Sequence, residues 1–127
     1  MAVQRADAAK AAEHFAALEP QRGTMLSGLD LVISADHLLG LLSETMGDQD
    51  RAVGHFEDAL KFCRKAGYRP DLAWTCCDYA DMLLGRNGEG DRTKAVALLD
   101  ESLAISSELG MRPLMERVLS RREILGA

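Results

Sequence analysis

A chain of 127 residues fits a single compact domain that loses about two thirds of its unfolded surface on folding. Hydrophobic residues make up 47% and aromatics only 5%, so the core must be built mainly from Ala, Leu and Val, a composition that favours helices over sheets. A net charge of -5 argues against an extended nucleic-acid surface, which needs a basic stripe, and no segment approaches the run of about 18 apolar residues that spans a membrane.

Residues 6–19 are alanine-rich, with Ala8, Ala12, Phe15 and Leu18 at helical spacing, and form a leading helix. Pro20, Gly23, Ser27 and Gly28 make the stretch from Glu19 to Asp30 a turn-rich connector. From Asp30 to Thr45, Leu31, Ala35, Leu38, Leu39 and Leu42 share one face of a second helix; Leu31-Val32-Ile33 has strand character but too little around it to make a sheet. After Gly47-Asp48 a third helix runs to about Lys65, with Ala52, Phe56, Ala59, Leu60 and Cys63 on one stripe. Pro70-Asp71 opens a fourth, reaching about Leu84, since proline suits the first turn and an acid complements the helix dipole there. The run from Gly85 to Gly90 is the most flexible part of the interior; Asp91 then caps a fifth helix to Leu109, and Pro113 starts a sixth that ends near Leu125.

One stretch of this chain returns in register 43 positions later. Gly47-Asp48, Ala52-Val53, Leu60, Gly67 and Arg69-Pro70 are matched by Gly90-Asp91, Ala95-Val96, Leu103, Gly110 and Arg112-Pro113. The identities are helix starts, helix stops and the apolar stripe between, and a fixed period of this kind signals a stacked helical repeat. The expected architecture is all-α: about six helices in antiparallel pairs, with a leading helix at 6–19, a first repeat at 30–66, a second at 70–109 and a closing helix at 113–125, all in one domain spanning 1–127.

These units resemble tetratricopeptide repeats (TPR), helix pairs with small residues where the helices cross. Leu39-Gly40, Ala52, Phe56, Ala59 and Leu60 fall at the repeat's characteristic positions in the first unit, where Gly40 is expected to let Ala52 and Ala59 approach. Tyr79-Ala80, Ala95, Leu99, Ser102 and Leu103 do so in the second, with three residues of the glycine-rich loop counted as an insertion. The pattern departs in lacking the usual proline at the end of each pair and in its longer period. More narrowly, His55-Phe56-Glu57-Asp58-Ala59-Leu60, Asp78-Tyr79-Ala80, Gly90-Asp91-Arg92 and Leu99-Asp100-Glu101-Ser102-Leu103 resemble the C-terminal repeat region of bacterial signalling proteins that couple an ATPase to a cyclase or a LuxR-type regulator. The leading helix would then be half of a truncated repeat, because Ala11, His14-Phe15 and Leu18 echo Ala52, His55-Phe56 and Ala59.

The resemblance implies a short right-handed superhelix whose groove is lined by the first helix of each pair: Ser34, His37 and Leu41, then Trp74, Cys77 and Asp81, with Arg117 and Arg121 from the closing helix. Arginines four apart are neighbours on a helix surface and grip carboxylates bidentately, which points to an acidic peptide. The plainer reading leaves Arg117, Arg121 and Arg122 solvated or paired with Glu116 and Glu123, and uses Trp74 for packing. Cys76-Cys77 diverge around the helix without metal-ligand spacing, and three thiols, an odd number, suit a reducing, cytoplasmic setting. His14, His37 and His55 have no nucleophile or carboxylate at a catalytic spacing, and the glycine-rich loop lacks the lysine of a phosphate-binding loop. The expected function is therefore non-enzymatic, without cofactor or metal: protein or peptide binding, with self-association and a small-molecule pocket around His37, Trp74 and Cys77 as alternatives. No membrane or nucleic-acid partner is expected.

Overall fold

The computed structural model of the chain describes residues 2–28 and 31–126. Among the described residues six α-helices carry an all-α fold: α1 (Ala2–Leu18), α2 (Ala35–Thr45), α3 (Gln49–Ala66), α4 (Arg69–Arg86), α5 (Asp91–Leu109) and α6 (Arg112–Leu125). Among the described residues no helix is long and apolar enough to cross a membrane. The chain divides into two compact units, Met1–Lys65 and Ala66–Ala127.

In the first unit α1 packs on α2. The connector between them folds as a 3-10 turn, Glu19–Gln21, followed by two short antiparallel strands, β1 (Met25–Gly28) and β2 (Leu31–Ser34), with Met25 opposite Ser34 and Gly28 opposite Leu31. The apolar spacing starts α2 at Asp30, which lies outside the described residues, but the helix begins at Ala35. Val32 and Ile33 lose side-chain freedom in a helix and suit an extended chain. Their strand partner comes from the segment that reads as connector, and Ser34 then caps α2, its Oγ accepting the His37 N–H at 3.0 Å.

The α3 stripe is buried as its spacing predicts, from Ala52 through Phe56, Ala59 and Leu60 to Cys63. Among the described side chains of α1, Ala11 and Phe15 are buried and Ala12 is exposed, so the helix follows the echo of Ala52 and Phe56 and not the Ala8–Ala12 register. The echo stops at the histidines, since His14 is exposed and His55 is buried. On α2, Ala35 and Leu39 are buried while Leu38 and Leu42 are half-buried; the side chain of Leu31 lies outside the described residues. Gly40 does admit a close neighbour, but that neighbour is the Phe56 ring: a Cβ on Gly40 would sit 3.0 Å from two of its carbons. An aromatic face needs more room than an alanine methyl, which is why glycine and not merely a small residue stands there.

In the second unit α5 packs against both α4 and α6. Ala73, Ala80, Ala95 and Leu99 are fully buried, and the Ser102 hydroxyl donates to the Ala73 carbonyl at 2.7 Å, tying α5 to α4. The repeated punctuation has the same geometry in both copies. Gly67 (φ 77°) and Gly110 (φ 70°) turn left-handed, each carbonyl accepts the N–H two residues on at 3.0 Å, and Pro70 and Pro113 follow in the first turn of the next helix.

The starts of α3 and α5 differ. Asp48 caps α3, its Oδ1 accepting the Arg51 N–H at 3.1 Å. Asp91 does not cap α5 as expected; its carboxylate turns back to take the Gly88 N–H at 2.8 Å and two bonds from the Arg86 guanidinium, each 2.8 Å. The segment read as flexible is ordered by that clip: α4 continues through Gly85 and Arg86 and ends at Asn87 in the left-handed region (φ 51°). Asparagine tolerates that conformation better than most residues.

Candidate functional site

The groove residues expected from the second unit converge. On α4, Trp74, Cys77, Asp78 and Asp81 face α6, because residues three and four apart lie on one side of a helix. Across from them, Arg117 Nη2 donates to Asp81 Oδ2 at 2.6 Å and to Asp78 Oδ1 at 2.9 Å, and Arg121 Nε donates to Asp81 Oδ1 at 2.8 Å. The Arg117 guanidinium also lies 5.9 Å from the centre of the Trp74 ring. The arginines are therefore part-exposed yet paired, and their partners are not Glu116 and Glu123 but aspartates of α4, while Arg122 reaches Asp100 of α5 at 3.4 Å. The ion pairs run from α6 across to α4, and Glu116 and Glu123 are exposed.

Charge and burial follow from this lattice. Burial opposes the charge on Arg117, but the Asp81 hydrogen bond and the nearby carboxylates of Asp78 and Asp81, joined at alkaline pH by the Cys77 thiolate, outweigh it and push its pKa above the ordinary guanidinium value. Cys77, fully buried beneath, is pushed up to about 11, chiefly by desolvation; Arg117 opposes the shift and the two aspartates reinforce it. Its thiolate, the nucleophilic form, is suppressed at neutral pH. Trp74 is half-buried, so part of its ring remains available.

Beyond Asp81 the same face opens into a cleft of about 520 Å³, shaped by Leu84, Gly85, Arg92, Arg121, Ile124 and Leu125. Arg92 holds its rim by donating to the Leu125 carbonyl at the end of α6. Ile124 is 75% exposed, an aliphatic side chain left in solvent at the edge of a concave surface.

The residues expected from the first unit behave otherwise. Ser34 is consumed as the N-cap of α2, and His37 is 2% exposed with its ring tilted against Phe56 at 6.2 Å between centres. Only Leu41, half-buried, keeps surface for a partner. Asp78 escapes the sequence reading as a site residue, although Trp74, Asp78 and Asp81 recur at spacings of four and three that complement Arg117 and Arg121. Arg92 and the cleft lie past the last expected groove position on α4. No protein-family model, no curated protein and no solved structure matches the chain.

Proposed function

We propose that the chain is a non-enzymatic helical-repeat module of the tetratricopeptide type, and that its second unit binds a protein segment along the α4–α6 face. The observation that carries the reading is the continuity of that face, from the Trp74 ring past the Asp78–Arg117–Asp81–Arg121 lattice to the cleft at Leu84 and Ile124. From residue 74 to residue 85 along α4 is about 16 Å at 1.5 Å per residue, the length of about five residues of extended chain. An aromatic at one end and an aliphatic cleft at the other provide two anchors of the kind that dominate binding energy. Three arginines and two aspartates line the path, a local positive excess on a chain of net charge -5, so a segment with an apolar residue for the cleft and an acidic one near Arg92 and Arg121 fits best. The wider setting would be a bacterial regulatory assembly in the cytoplasm, as the resemblance to signalling repeats implies.

Selection from a displayed peptide library, followed by fluorescence-polarisation titration, tests this. Trp74→Ala and Arg121→Glu should each weaken the selected peptides by at least about tenfold, with helical circular dichroism unchanged. Peptides that bind both variants as they bind the parent chain would remove the face from consideration. A second reading, self-association through α6, is favoured by two apolar side chains it leaves in solvent on different sides of the helix, Leu119 and, at the cleft edge, Ile124, which are 50% and 75% exposed. Light scattering showing a monomer over a wide concentration range would eliminate it.

A further inference from the structure

We infer that Asp36, His55 and Asp58 of the first unit form a site for one divalent cation of the zinc class. One donor atom from each residue lies within 4.8 Å of the other two. Donors around a tetrahedral ion at about 2.0–2.2 Å sit roughly 3.3 Å apart. The Asp36 Oδ1 and His55 Nδ1 atoms, at 3.2 Å, already have that spacing. Two carboxylate oxygens and one imidazole nitrogen make a three-ligand set of mixed hardness that leaves a fourth position for water or an anion.

The two inner ligands are fixed in advance. Asp36 is 4% exposed and stands in the first turn of α2, its second oxygen accepting the Gly23 N–H at 2.9 Å. Hydrogen bonding of that kind is what orients a metal-bound carboxylate. His55 is 9% exposed, with its ring edge against Phe15 at 5.4 Å. A cation between the two groups would compensate the charge of a carboxylate this deeply buried. Asp58 follows His55 by three residues on α3 and is exposed, so its side chain can swing in from solvent to complete the set.

Arg22, Lys61 and Lys65 line the opening beside Asp36 and Asp58. Their charge opposes a dication, which weakens the site, and it favours an anion in the fourth position. The site is separate from the α4–α6 face and does not depend on the binding role proposed for it.

Calorimetric titration of Zn²⁺ alone into the full chain, in a non-coordinating buffer with a phosphine reductant, tests the assignment. One ion per chain should bind saturably below millimolar Zn²⁺, and Asp58→Asn should weaken it by at least about tenfold, the scale on which ligand-sphere changes act. Because Asp58 is exposed, that variant keeps the fold, which circular dichroism would verify. His55→Gln should abolish the binding. Absence of saturable binding below millimolar Zn²⁺, or equal affinity in the parent chain and Asp58→Asn, overturns the proposal.

Discussion

Replacing Gly40 by alanine sets two opposed effects of known size against each other. Alanine inside a helix is worth about 1 kcal/mol over glycine. The new methyl, however, would meet Phe56 Cδ1 and Cε1 at 3.0 Å and Cγ at 3.1 Å. Carbon pairs prefer about 3.5–4.0 Å, so the whole ring would have to retreat by roughly half an ångström. Phe56 is fully buried and His37 lies against it, which leaves little room to give. Overpacking of a dense core costs about 1–3 kcal/mol, so Gly40→Ala should destabilise by about 1 kcal/mol net.

Gly54→Ala supplies the internal standard. Gly54 is an exposed position inside α3 where an added methyl would meet nothing within 4 Å, so only the propensity gain of about 1 kcal/mol applies. The two variants should differ by about 2 kcal/mol, and urea unfolding with a slope of about 1–3 kcal/mol/M should separate their midpoints by about 1 M. Shortening the ring in Phe56→Leu should relieve the contact, giving a coupling of at least about 1 kcal/mol between positions 40 and 56 in a double-mutant cycle. Equal midpoint shifts in the same direction for Gly40→Ala and Gly54→Ala would refute the close-packing argument.

Asp91 is held down to about 2 by the Arg86 hydrogen bond first, with burial opposing and the Gly88 N–H helping. A carboxylate with a depressed folded value stabilises the native state above its ordinary value of 3.8 and loses that contribution as pH falls toward about 2. Thermal unfolding between pH 5 and pH 2, on the order of one measurement per half unit, should therefore show a decline that Asp91→Asn flattens. Cys77 at about 11 should resist a thiol-disulfide reagent at pH 8 in the native protein, as should the equally buried Cys63 and Cys76; full reaction of all three thiols only in denaturant is the expected outcome. Asp81→Ala removes a carboxylate shared by Arg117 and Arg121, whose side chains are 33% and 38% exposed; solvent screening limits the loss to about 1 kcal/mol, readable in urea.

The helices were legible because their ends are marked by residues with few alternatives. Gly67 and Gly110 must turn left-handed, prolines must follow early in a first turn, and the three-four spacing of Ala52, Phe56 and Cys63 admits one buried face. What escaped depended on partners distant in sequence. The strand character of Val32 and Ile33 was visible, but a strand needs a neighbour, and Met25–Gly28 has no alternation to announce itself. The pairing of Arg117 with Asp78 spans 39 residues and is settled by α4 lying opposite α6, which no local pattern encodes. Asp36 likewise meets His55 across 19 residues, so a search for ligands at short spacing sees only His55 and Asp58.

The two aspartates at equivalent places in the repeat carry the argument furthest. Asp48 and Asp91 follow a glycine in the same register, yet one caps its helix and the other binds Arg86 and the Gly88 N–H. The difference lies in the residues inserted between α4 and α5, which let Arg86 fold back within reach. Losing a cap costs a helix about 1 kcal/mol, and the charge-assisted bonds to Arg86 offset it. What the clip fixes is the turn bearing Gly85 and Asn87, and Arg92 is the next residue after Asp91; all three border the cleft. A position that breaks its own repeat while ordering the rim of a concave face is where function, more than folding, is expected to have set the residue. Uncoupling the clip with Arg86→Met should therefore alter peptide affinity at the cleft more than it alters the unfolding midpoint, whereas a purely structural clip would show the reverse.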